Sequence, residues 1–69
     1  MEVEELNLRF SYHAPKGTQP ERYVEIRAGA HELAARIDEM CPESREKSLA
    51  ITHLEEAVMW ANAAIARRE

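Results

Sequence analysis

Cysteine occurs once, at Cys41, so no disulfide can brace this chain. A lone thiol fits a reducing, cytosolic setting better than a secreted one. Basic residues are the minority, with 9 Lys and Arg against 13 Asp and Glu and a formal net charge of −4. Polymeric nucleic acids are held mainly by phosphate neutralisation, so this balance argues against a DNA or RNA partner. It leaves room for a small phosphate ligand, which needs only a few well-placed cations. Long apolar runs are missing as well: nothing approaches the roughly 20 residues that span a bilayer. The start MEVEELNL is acidic and lacks the apolar core of a signal peptide. The expectation is a soluble, intracellular protein with no membrane partner.

Clustered chemistry is equally scarce. His13, His31 and His53 are scattered with no paired helical spacing and no cysteine cluster, so no zinc constellation is expected, and no metal or cofactor. Glu55 and Glu56 are adjacent, and adjacent helical positions point about 100° apart, so they cannot share a site as two catalytic acids would. Cys41 beside Pro42 reads as an ordinary small buried residue at a helix end, not a nucleophile. No enzyme is expected.

What the chain does have is helix-forming text. Thr18-Gln19-Pro20-Glu21 has the form of a helix start, with Thr18 and Glu21 able to form a capping box and Pro20 in the tolerant first turn. Apolar residues then recur at Tyr23, Ile26, Ala30, Leu33, Ile37 and Met40, a spacing of three and four that puts them on one seam. The run stops at Cys41-Pro42, because the residue before proline resists helical geometry. Ser44 is the expected second N-cap, and Ile51, Leu54, Val58, Ala61 and Ile65 form the second seam. A short connection forces the two helices antiparallel. The predicted fold is all-α: one helical hairpin domain over 1–69, with an arm and loop at 1–17 and helices at 18–41 and 44–68. The arm alternates weakly at Val3, Leu6, Leu8 and Phe10, which suits either a short helical turn or an extended segment.

Such a hairpin cannot complete its own core. A chain of 69 residues buries only about 60% of its unfolded surface and usually needs a staple or a partner. The second helix carries Ala50, Ala57 and Ala64 at heptad spacing, with Met59, Trp60 and Ala63 off the first seam. Two helices have no second layer to cover that face, so homo-oligomerisation with closed symmetry is expected. Glu43/Lys47 and Glu32/Arg36 read as solvated i,i+4 pairs, and Arg67-Arg68 suits the helix dipole or a local anion site. Gly29 interrupts the first helix at a cost of roughly 1 kcal/mol, or marks a close approach to the backbone.

The stretch FSYHAPKGTQPERY, residues 10–23, is unlike its surroundings. Tyr12 offers a flat face for a base, His13 and Lys16 offer donors, and Gly17 lets a ligand approach the backbone. A helix N-terminus follows, with Arg22 and Arg27 in its first turns and a dipole suited to phosphate. The residues themselves support two readings: an arm that packs Phe10 and Tyr12 on a neighbour, or a cradle for a base and an anion.

Together with CPESREKSLAITHLEEAVMWANAAIARRE, this stretch closely resembles the anti-CBASS type 2 family of small phage proteins, over nearly the whole chain. These are sponges that sequester the cyclic nucleotide signals of bacterial CBASS immunity. The resemblance implies a short N-terminal helix, a compact hexamer and an address in the cytoplasm of the infected host. It also implies cyclic dinucleotides such as cGAMP held between protomers, with Tyr12 stacking on a base, Arg27 at the phosphates, and His13, Lys16 and Gly17 in the same loop. Family members often carry Lys where Arg27 stands. A second pocket for cyclic trinucleotides would fall at Arg68 or Arg67, with Gly29 where a hydroxyl residue is expected, a departure that weakens that pocket. A related family of phage sponges shares the hairpin and captures cyclic ADP-ribose isomers of Thoeris signalling. A purely structural helical oligomer is the third reading.

Overall fold

A computed structural model describes residues 1–69 as three helices and no strand. They are α1 (Val3–Arg9), α2 (Gln19–Met40) and α3 (Arg45–Arg68). The N-terminal arm is thus helical, and α2 and α3 form the hairpin. The chain is a slab of 45 × 29 × 13 Å, a single layer of helices. No helix is long and apolar enough to cross a membrane.

The turn between α2 and α3 follows from local chemistry. Cys41 leaves helical geometry (φ −109°, ψ 142°), as Pro42 requires, while its N–H still reaches the Ile37 carbonyl at 3.0 Å, and its thiol is exposed at the turn, not buried as expected. Ser44 is extended, and its hydroxyl accepts the Lys47 N–H at 3.1 Å, a formed N-cap. Lys47 differs from its sequence reading as a solvated partner of Glu43. Its side chain is buried against the turn, where the ammonium donates to the Asp38 carbonyl at 2.7 Å and pairs with the Asp38 and Glu43 carboxylates.

The start of α2 corrects another expectation. Thr18 (φ −86°, ψ 6°) makes no side-chain cap bond, so the capping box does not form. Gln19 does the fastening instead. Its Oε1 accepts the Lys16 N–H at 3.1 Å, and the Lys16 carbonyl accepts the Gln19 N–H at 3.0 Å. This closed turn holds Gly17 at φ 55°, the left-handed region that a side chain resists. On its other side, the Gln19 amide donates to the Ile65 carbonyl at 3.2 Å and to Glu69 Oε1 at 3.1 Å.

Both seams meet between α2 and α3, with departures. Tyr23, Ile26, Ala30 and Ile37 are half-buried, but Leu33 and Met40 lie exposed and Ala34 takes the inner position. A strict three-and-four reading drifts around a straight helix, because 3.6 residues per turn does not match it. Ile51, Leu54, Val58, Ala61 and Ile65 are all half-buried. No apolar side chain is fully buried, and the only buried residues are Gln19 (2% exposed) and Lys47 (9%). Trp60 is 64% exposed, and Met59, Phe10 and Val3 are similarly open.

The two helix starts should respond differently to mutation. Ser44→Ala costs about 1 kcal/mol, whereas Thr18→Ala costs less than about 0.5 kcal/mol. Gly17→Ala costs about 1–2 kcal/mol through backbone strain, since a Cβ there meets nothing within 4 Å. Urea unfolding at fixed protein concentration measures all three. A Thr18→Ala cost matching that of Ser44→Ala contradicts the assignment.

Candidate ligand-binding site

The loop after α1 is tied down at both ends. At its start, the Ser11 hydroxyl donates to the Asn7 carbonyl, and His13 Nε2 donates to the Leu8 carbonyl at 2.7 Å. That bond puts the ring proton on Nε2 and leaves Nδ1 as an acceptor. At its end, the Gln19 turn holds Lys16. Tyr12, between these anchors, is left 86% exposed with its ring face free.

Tyr12, His13 and Arg27 line one open depression of about 360 Å³ between the loop, α2 and α3. Tyr23, expected in the helix seam, also faces it, as do Arg9, Asn62 and Arg67. Asn62 forms part of a second groove of about 470 Å³ with Arg27, His31 and Met59. Its Oδ1 is closed off from solvent with no hydrogen-bond partner, an unusual state for a polar atom. Nothing in the one-dimensional pattern separates Asn62 from the other residues of α3, and Arg67 was expected at the second pocket. Their approach to Tyr12 arises only once the loop folds back.

Lys16 and Gly17 do not line this depression. Lys16 Nζ donates to the Glu69 backbone oxygen at 3.1 Å, and Gly17 serves the turn. Arg22 also turns away, in a two-pronged pair with the Glu69 carboxylate at 2.6 and 2.5 Å. That guanidinium, followed by the Gln19 amide, holds the Glu69 carboxyl at about 2, well below its ordinary 4.5.

The residues of the expected second pocket are not brought together within one chain. Gln19 lies beside Ile65 and Asp38 beside Lys47. This register sets Gly29 about 16 Å along α3 from Arg67, at about 1.5 Å per residue. Arg68 grips Glu5 of α1 at 3.0 and 2.7 Å. Glu5 also accepts from Arg9 at 3.0 Å. The Arg68 guanidinium first, and Arg9 second, hold the Glu5 carboxyl at about 2. This ion pair seats α1 on α3 beside a third, mostly apolar depression of about 670 Å³, walled by Leu6, Phe10, Trp60 and Arg67. No three His, Cys, Asp or Glu side chains cluster as metal ligands.

The hairpin has no core of its own and carries two aromatic faces among guanidinium groups. The model of the Acb2/Tad1 hairpin domain matches residues 3–66, and the chain belongs to that family. The family implies a phage sponge-type protein, one that works by sequestering a ligand. Neither the curated proteins nor the solved structures compared with the chain match it.

The Glu5 pair makes α1 docking sensitive to acid. A carboxyl held near 2 when folded, against 4.5 ordinarily, contributes fully above pH 4.5 and is lost as pH falls toward 2. Trp60 fluorescence reports the seat of α1 and should shift across that window. Glu5→Gln removes this titrating group, so the shift there should shrink to what the Glu69 pair contributes. Superimposable curves for the two proteins contradict this docking.

Proposed function

We propose that this protein binds and sequesters cyclic oligonucleotide second messengers, cyclic dinucleotides such as cGAMP foremost, and so blocks CBASS signalling in the cytoplasm of the infected bacterium. The carrying observation is the pairing of an exposed aromatic face with an unpaired cation in one depression: Tyr12 and Arg27. Arg27 has no carboxylate partner, so its charge is available to a phosphate. Tyr12 stacks on a base, a contact worth about 1–3 kcal/mol. His13 Nδ1 accepts from a base or ribose. Lys16 and Gly17 act indirectly, through the turn that fixes the loop.

The work is binding without turnover. Ser11 and His13 both line the depression, but the Ser11 hydroxyl donates to the Asn7 carbonyl and His13 Nε2 to the Leu8 carbonyl, not to each other, and sequestration needs only affinity and abundance. The depression is shallow in a single chain, and a second copy would close it over the ligand. Self-assembly, as a hexamer in this reading, also covers Trp60, Met59 and Phe10, which no element of the chain itself covers. Because the family joins both kinds of sponge, cyclic ADP-ribose isomers are the second ligand class.

Calorimetry against cyclic dinucleotides, cyclic trinucleotides and cyclic ADP-ribose isomers separates these readings. We expect dinucleotide binding and release of the intact ligand on boiling. Tyr12→Ala and Arg27→Ala should each lower that affinity at least about tenfold with the assembly unchanged in size. No binding across the panel leaves the purely structural oligomer, and an altered ligand after release indicates an enzyme. Trp60→Asp should dissociate the assembly, and an unchanged mass by light scattering contradicts the covered-face assignment.

A further inference from the structure

The cations of this chain divide sharply by what holds them. Arg9, Arg22, Arg36, Lys47 and Arg68 each pair with a carboxylate. Lys16 is tied to the Glu69 backbone oxygen. Three guanidinium groups remain with no acidic partner: Arg27, Arg45 and Arg67. Arg45 opens α3 at the turn end of the hairpin. The other two face the same depression, Arg27 from α2 and Arg67 from α3, with Tyr12 on its wall. The one bond that Arg67 makes is long, 3.4 Å to the neutral Arg9 carbonyl, and it leaves the charge uncompensated.

In an acidic chain of net charge −4, two uncompensated guanidinium groups beside one aromatic face are unlike the rest of its surface. We propose that Arg67 is the second arm of a phosphate clamp, adding its guanidinium beside that of Arg27 where the phosphates of the ligand sit. This inference rests on the sequestration reading above and assigns Arg67 to the Tyr12 site instead of a second pocket. In charge terms it favours a ligand with two phosphates over a nucleotide with one. Guanidinium suits the task because its planar fork meets two phosphate oxygens at once. The arms stand on different helices, so the hairpin register sets their separation. Arg68, one residue on, cannot substitute, because Glu5 already occupies its fork.

The test compares a cyclic dinucleotide with a cyclic mononucleotide on wild-type protein, Arg67→Gln, Arg67→Lys and Arg45→Gln. Gln removes the charge and gives up only the long bond to the Arg9 carbonyl, so loss of fold is not expected; circular dichroism and elution volume check it. Arg67→Gln should weaken the dinucleotide on the order of ten- to a hundredfold and flatten the salt dependence of its Kd. The mononucleotide should change far less, Arg67→Lys should recover part of the loss, and Arg45→Gln should match wild type. Dinucleotide binding that Arg67→Gln leaves unchanged, while Arg27→Ala abolishes it, overturns the clamp and leaves the sequestration reading standing. A wild-type protein that binds no cyclic nucleotide overturns both.

Discussion

Two buried polar side chains, one at each end of the hairpin, hold α2 and α3 in register. Lys47 closes the turn end by joining Asp38 and Glu43, and Gln19 closes the open end by joining Lys16, Ile65 and Glu69. Between them the seam is only half-covered, so apolar contact alone does not choose among slipped pairings of two smooth helices. Directional bonds do, because a shift of one residue would leave an amide or an ammonium buried without partners, which costs more than a made bond contributes. Everything else in the structure is placed from that register.

The loop between α1 and α2 depends on it most directly. Gln19 ties the same turn to α3 that Gly17 makes sharp, and the loop must then return across the mouth of the hairpin from α1. Tyr12 is therefore presented and not buried, while His13 is held by the Leu8 carbonyl. A ligand meeting a loop already fastened at both ends loses less ordering entropy than one that must gather a free arm. The two readings of residues 10–23, packing arm or cradle, are compatible in this geometry. Phe10 turns toward Trp60 and Leu6, and Tyr12 turns toward Arg27.

Local chemistry made much of this legible in the sequence. The Cys41-Pro42 stop, the Ser44 cap and most of both seams depend on residues within a turn of one another, and the family resemblance agrees with the matched hairpin domain. What escaped the sequence is long-range. Thr18 looked like a capping residue, but Gln19 could satisfy three groups at once, one of them 46 residues away. Arg67 and Arg68 looked interchangeable, yet Arg68 pairs with Glu5, 63 residues away, and Arg67 with no carboxylate. Leu33 and Met40 fit the spacing but drift off the seam, and Tyr23 moves from seam to depression. Partner choice among thirteen acids and nine bases is a tertiary fact that no spacing rule encodes.

A slab only 13 Å thick has no inside. Hydrolysis by cellular proteases follows the population of open chain, and a layer with no private interior opens readily when it is dilute. In the assembly proposed above, the Trp60 face is covered and the same layer resists. In that reading the protein's lifetime in a cell follows its abundance: early, scattered copies turn over, and accumulation is self-reinforcing. For a molecule that acts by sequestering a ligand, the missing interior then works as a threshold.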